Sequence, residues 1–354
     1  MGMNLTEREV KNKNLLSEKK PIAFNKIKTF SQRVKEEKSI ALIQLQISYQ
    51  CPLKCKHCAV EKFKQHIKED MSIENIKKIA DEAHEYGISA ICISGGEPLA
   101  FPNLNEIIDA IGPDRFVLSM DTNGLYLTEE KIKWLVEKGV NRIHLSMDGT
   151  ELNHEQFRNS SGLWKKCVNA LEYTKKYGLG VVINIVITKD LINSGELIKQ
   201  LEYLKQFNEH ASLIYAKNVG AFEGAKDQIL NTDDLNYLES LTKKYNCSTH
   251  LTPNNGMDLG CLCIKRHLSI LPNGILTPCP WIPISMGNVI EEGLVTVIER
   301  SLKNKWFSFK QKHSCLCGNE DSFFYQNIIP QIEKFDEYPV SSSKIDWHLE
   351  YFEK

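Results

Sequence analysis

The chain has 354 residues, 42% apolar and 25% charged, the balance of a folded globular protein with a sizeable core. Its 44 Lys and Arg against 45 Asp and Glu give no basic field for nucleic acid or an anionic membrane. A polar start, MGMNLTEREV, and the lack of an apolar run of ~18 residues argue against secretion and membrane spanning, so the expected location is the cytoplasm. Eleven cysteines without a secretory signal point to metal ligation rather than to a disulfide framework.

In chain order, residues 1–39 form a basic segment with ten Lys and Arg against five Asp and Glu. It reads as a solvated end. Strands are expected over 41–48, 90–94, 116–119, 142–146, 181–188 and 212–216. Helices are expected over 72–86, 104–111, 128–138, 164–177 and 196–207, the first opened by Ser72 as N-cap and closed by Gly87. Six strands alternating with helices over 40–217 predict an α/β domain with a parallel sheet and right-handed crossovers. Reactive residues then belong on the loops after the strands. Residues 218–231 read as a linker, 232–322 as a second domain rich in cysteine, and 323–354 as an acidic tail.

The first cysteine motif follows the first strand. CPLKCKHC over 51–58 spaces Cys51, Cys55 and Cys58 as C-x3-C-x2-C. Three thiolates on one loop can hold three irons of a [4Fe–4S] cube and leave the fourth iron open. A closed zinc site would need a fourth Cys or His, for which the adjacent His57 is the local candidate. Four more motifs follow in order: GGEP at 95–98, TNG at 122–124, SMDG at 146–149 and HEQFR at 154–158. Together the five resemble the radical SAM superfamily, over residues 40–216.

That resemblance implies a partial (β/α)6 TIM barrel binding S-adenosylmethionine (SAM) against the open iron of a [4Fe–4S] cluster held by Cys51, Cys55 and Cys58. It implies that Gly95 and Gly96 approach the methionyl amino group, with Glu97 ordering that loop, and that Asn123 lies by the ribose. Ser146 and the backbone of His57 are further SAM contacts, and Arg158 pairs with the methionyl carboxylate. The implied chemistry is reductive cleavage of SAM to a 5′-deoxyadenosyl radical that abstracts hydrogen from a substrate C–H bond. A reductant such as flavodoxin or ferredoxin would feed this oxygen-sensitive chemistry. A non-catalytic iron–sulfur carrier would leave the SAM motifs unexplained.

Cys261, Cys263, Cys279, Cys315 and Cys317 lie in the second region, around a hairpin turning at Pro272, Asn273 and Gly274. A four-thiolate zinc ribbon is one reading. The order Cys261, twelve residues, Gly274, four residues, Cys279, then Gly287 and Asn288 also resembles the SPASM module or its shorter Twitch form. The resemblance implies one auxiliary [4Fe–4S] cluster, held by Cys261, Cys279, Cys315 and Cys317 and assisting electron transfer. Cys263 then stands as a spare thiol able to return hydrogen to a substrate radical. Sulfatase-maturing members carry an Asp after the residue matching Cys279; Pro280 and Trp281 stand there, which argues against that activity. The expected substrate is a ribosomally made peptide undergoing cross-linking, epimerisation or oxidation, the alternative a small polar molecule such as a sugar, aminocyclitol or nucleoside. Cys92, Cys167 and Cys247 read as buried apolar residues.

Overall fold

The structure is a computed structural model and describes residues 14–249, 251–252 and 258–353. Six parallel strands run in order β1 (Leu42–Ser48), β2 (Ala90–Gly95), β3 (Val117–Thr122), β4 (Arg142–Ser146), β5 (Gly180–Ile187) and β6 (His210–Tyr215). Each successive pair is joined in register by helical crossovers. The helix Ile73–Tyr86 shows how local sequence sets these units. Ser72 accepts a hydrogen bond from Asn75 N, Gly87 ends the helix at φ 94°, and Ile76, Ile79, Ala80 and Ala83 are buried between them.

The strands alternate sharply. Ile43, Leu45 and Ile47 on β1, Ile91 and Ile93 on β2, and Leu118 and Met120 on β3 are buried in the apolar core. The intervening residues are polar, and register aligns Gln44 with Cys92 and Ser119, and Asp121 with His144. Gln44 Nε2 reaches across β2 to Asp121 Oδ2 on β3 at 2.7 Å, so this polar face is the concave one. Packed barrels fill that interior with branched aliphatic layers; here it is a hydrophilic lumen.

The chain beyond 217 extends this sheet at both edges. The helix Thr232–Thr242, opened by an Asn231–Asp234 capping box, leads to β7 (Cys247–Thr249), which pairs parallel with β6. At the other edge β8 (His267–Ile270) pairs parallel with β1, and β9 (Ile275–Thr277) folds back on it antiparallel. The predicted hairpin is therefore present, but grafted onto the barrel sheet. β10 (Ile284–Ser285) and β11 (Gly287–Asn288) follow, β11 pairing with β9.

Both ends differ from solvated tails where the structure describes them. Lys20 Nζ donates to Phe116 O, Gly139 O and Asn141 Oδ1, and Lys26 Nζ to Ile88 O and Arg115 O, so these cations bind the carbonyls that precede the strands. At the other end β12 (Val340–Ser341) pairs with β10, and Trp306 packs among Phe323, Phe324, Tyr351 and Phe352. Aromatic burial outweighs the acidic charge of this segment. Among the described residues no helix is long and apolar enough to cross a membrane.

Candidate active site

Four of the N-terminal motifs occupy the loops that leave β1 to β4, at one end of the barrel, and the fifth, HEQFR, lies on the helix Glu151–Arg158 that follows β4. The 51–58 loop is held from three directions. Gly96 N donates to Ser48 O and Glu97 N to Gln50 O, Lys56 N donates to Phe157 O, and Ala221 N to Cys58 O. The expected linker thus packs against the first cysteine loop. Cys51, Cys55 and Cys58 are half-buried, and Asn123 Nδ2 lies 3.8 Å from Cys51 Sγ.

Zinc with sulfur at about 2.3 Å would bring tetrahedral thiolates to roughly 3.8 Å of one another. Among the described residues only Cys92, Asp121 and His144 bring three ligand atoms within 4.8 Å. No three thiols of either cysteine group meet that closely, although Cys261 Sγ and Cys263 Sγ lie 3.5 Å apart. All-thiolate donors suit iron–sulfur chemistry.

Glu97 is the hub of the SAM-side loops. It is 2% exposed; its Oε1 accepts from Leu99 N and Thr122 Oγ1, and its Oε2 accepts from Asn123 N at 2.8 Å. The carboxylate thus ties GGEP to TNG. Burial pushes its carboxyl up from 4.5 to about 7, against those hydrogen bonds. A carboxyl that binds its proton more tightly when folded favours the native state at low pH, and that benefit fades as pH rises from about 4.5 through 7. The loss amounts to about 3 kcal/mol at most. Between pH 5 and 8 the wild-type melting temperature should therefore fall further than that of Glu97→Gln. Equal falls would mean that Glu97 is ionised throughout.

Arg158 is buried, and its Nε donates to Asp148 Oδ2 at 2.7 Å. Asp148 Oδ1 in turn accepts from Val186 N, and its backbone N–H donates to His154 Nδ1. Arg158 also hydrogen-bonds Cys55, so it joins the β4 loop to the cysteine loop. His57 stacks on Phe157 at 4.1 Å, and its buried Nδ1 has no partner among the described residues. Burial holds that imidazole down to about 3, so it stays neutral. Ser146 ends β4 half-buried, and its hydroxyl has no hydrogen-bond partner among the described residues.

Cys261, Cys263, Cys279, Cys315 and Cys317 are all buried. Cys261 Sγ lies 3.5 Å from Cys263 Sγ, Cys279 hydrogen-bonds Cys263 and Cys317, and Cys317 hydrogen-bonds Cys315. Cys263 therefore sits inside the thiol group rather than apart from it, because Cys261 and Cys263 flank a single residue in a tight turn. Several residues escaped sequence reading. Asp148 lay within a motif but had no assigned role; Gln200 clamps Met147 O and Gly149 N; Gln44, Asp121 and His144 line the lumen. Alternation of aliphatic and polar residues along β1, β3 and β4 was the available signal for the lumen set.

A cysteine loop leaving β1, glycine and polar loops after the next strands, and a second thiol group at the sheet edge define a class of protein. Residues 45–194 match the radical SAM superfamily, and residues 261–319 match the SPASM iron–sulfur cluster-binding domain. The chain thus carries a radical SAM domain and a SPASM domain, and it is an enzyme whose cofactors are SAM, a SAM-binding [4Fe–4S] cluster and an auxiliary [4Fe–4S] cluster. It is 27% identical over 318 residues to the AdoMet-dependent heme synthase of Oleidesulfovibrio alaskensis, covering 81% of each chain. Similarity to the GTP 3′,8-cyclase of Aliarcobacter butzleri is 26% over 321 residues, 82% of this chain and 97% of that protein. Among solved structures, Streptococcus suis SuiB bound to precursor peptide SuiA aligns with a TM-score of 0.60 at 18% identity, over 78% of this chain and 69% of SuiB.

Proposed function

We propose that this enzyme removes hydrogen from a C–H bond of a polar residue in a ribosomally made peptide. The observation that carries the reading is the hydrophilic lumen: Gln44, Ser94, Asp121 and His144 are hydrogen-bonded to one another where a packed barrel would be apolar. Such a lumen receives a hydrogen-bonding group and penalises an apolar one. A small cleft lies beside Cys317, walled by Trp281, Tyr325 and Tyr338 and edged by Lys62 and Glu223. The fold shared with SuiB, whose structure holds a precursor peptide, supports the same reading.

Cys51, Cys55 and Cys58 would hold the catalytic cluster, and the five C-terminal thiols supply the ligands of the auxiliary one. With SAM bound, the catalytic cluster supplies the electron that yields the 5′-deoxyadenosyl radical. The backbone of Gly95, Gly96 and His57, with Asn123, Ser146 and Arg158, would position SAM; Glu97 holds two of these loops together. The barrel and its buried loops exclude water and stray hydrogen donors. A small polar substrate is the second reading, supported by relatives named for heme and GTP chemistry. A cytoplasmic location fits both.

The test is 5′-deoxyadenosine release, measured by mass spectrometry from anaerobically reconstituted enzyme with SAM and a strong reductant. A short peptide encoded beside this gene should accelerate release in the wild type and not in the triple Cys51/Cys55/Cys58→Ala variant. Acceleration by a porphyrin or nucleotide instead, with none by peptide, would overturn the peptide reading.

A further inference from the structure

Asp121 and His144 stand opposite each other in register on β3 and β4, facing the lumen. Four side chains, Gln44, His144, Cys92 and Ser94, converge on the Asp121 carboxylate. Gln44 Nε2 reaches Oδ2 at 2.7 Å, while His144 Nδ1 at 2.7 Å and Cys92 Sγ at 3.3 Å both reach Oδ1. Burial pushes the Cys92 thiol well up, so it stays S–H and acts as a donor. Burial also opposes charge on Asp121, but hydrogen bonds from His144, Ser94 and Cys92 outweigh it and hold the carboxyl below its usual range.

An ionised carboxylate at Nδ1 fixes the proton there and leaves Nε2 with its lone pair. Nε2 has no protein partner among the described residues, and the His144 side chain keeps 17% of its surface exposed. The charged or titratable groups around the pair are His267 at the start of β8, which interacts with Asp121 and His144, Arg266 just before it, and Arg142, which interacts with Cys92 and Arg266. Burial holds His267 down to about 4, so it remains neutral and does not compete as an acid. A base oriented by a carboxylate, with its other nitrogen unpartnered and part of its side chain exposed, is built for proton transfer.

We propose that Asp121 and His144 form a general-base pair in the barrel lumen, acting on a substrate that carries O–H or N–H on the carbon that loses hydrogen. The inference deepens the function proposed above, and rests on it for the radical step. After hydrogen-atom removal, the O–H or N–H proton passes to His144 Nε2, and the bonding pair stays on the oxygen or nitrogen. Gln44 and Cys92 are positioning residues, acting through the carboxylate.

Two readouts test this. The first needs no substrate: NMR of histidine-labelled holoenzyme should show His144 as the Nδ1–H tautomer, shifting toward Nε2–H in Asp121→Asn. A wild-type Nε2–H tautomer, or one unmoved in Asp121→Asn, overturns the pair. The second uses the compound that accelerates 5′-deoxyadenosine release. Product formed per 5′-deoxyadenosine should fall about 100-fold in His144→Gln. Free imidazole should restore part of the yield in His144→Ala. Undiminished yield in His144→Gln would overturn the proposal. So would a metal ion bound beyond the iron of the clusters and lost in Cys92→Ser, since the trio would then be a metal site. Failure of every peptide to accelerate release would fault only the substrate reading, because the NMR result stands apart from it.

Discussion

Replacing Gly96 by alanine should lower 5′-deoxyadenosine release by about 100-fold or more, although the change adds a single methyl group. An ideal Cβ at this position would lie 2.1 Å from Gln50 O and 2.6 Å from Gln50 C, backbone atoms immediately before Cys51. No side-chain rotation relieves such a contact, so either the GGEP loop or the cysteine loop must move. The contact is also a bonded junction: Gly96 N donates to Ser48 O and Glu97 N donates to Gln50 O. Displacing Gln50 therefore shifts Cys51 relative to the Glu97 hub and the Asn123 side chain beside it. Overpacking of this kind costs about 1–3 kcal/mol, and a misplacement near 1 Å costs about 100-fold in rate.

The control is Gly162→Ala. Gly162 has φ +75° and nothing within 4 Å of an added Cβ, so the substitution strains only the local backbone. It should cost about 1 kcal/mol of stability and leave release near wild type. Iron content and visible charge-transfer absorption would show whether Gly96→Ala still assembles its clusters. Full activity in Gly96→Ala would mean that the two loops are not coupled as the packing indicates.

Much of this architecture is legible in the chain. The 142–146 strand is found where patterning puts it, and the other five are found within a few residues. The largest extension, β3 running on through Asp121 and Thr122, is instructive. Its last residues are polar because they face the lumen and the Glu97 hub, and polarity there mimics a loop. Strand β7 has only three residues, and its partner β6 is reached through a capped helix, so no local pattern announces the pairing. Likewise the hairpin at Pro272–Gly274 is a local signal, but its docking on β1 is a long-range one. Cys92 is buried, as an apolar reading of isolated cysteines expects. Its Sγ nonetheless faces Asp121 and His144, a relation that appears only when three strands are laid side by side. The C-terminal segment reads as an acidic tail because its charges are obvious and its aromatic residues are scattered; folding gathers those aromatics on Trp306.

The auxiliary thiol group carries a second expectation of large effect. Lys217 and Lys265 are 5% and 1% exposed, and neither has an ion-pair partner among the described residues. Lys265 Nζ donates to Leu259 O and Gln311 O, and the groups that favour its charge are Cys261, Cys263 and Asp258. Lys217 Nζ donates to Tyr215 O and lies 4.6 Å over the Trp281 ring. The Cβ point of Gly318 is 3.0 Å from Cys315 Sγ and 3.2 Å from Lys217 Nζ, which puts that ammonium close against the thiol group. Burying an unpaired ammonium is strongly unfavourable, so two of them beside five thiols imply a net negative group between them. A unit charge at about 6 Å contributes ~3 kcal/mol at an effective dielectric of 20. For a one-electron couple that is on the order of 100 mV. Reduction adds negative charge, which the ammonium favours, so Lys217→Met and Lys265→Met should each lower the auxiliary midpoint potential, while Lys217→Arg keeps it. An EPR-monitored redox titration in the Cys51/Cys55/Cys58→Ala background isolates the auxiliary signal. Unchanged potentials in both methionine variants, with iron content intact, would show that these lysines serve packing alone. A shift confined to one of them would identify which side of the thiol group the reducible cluster occupies.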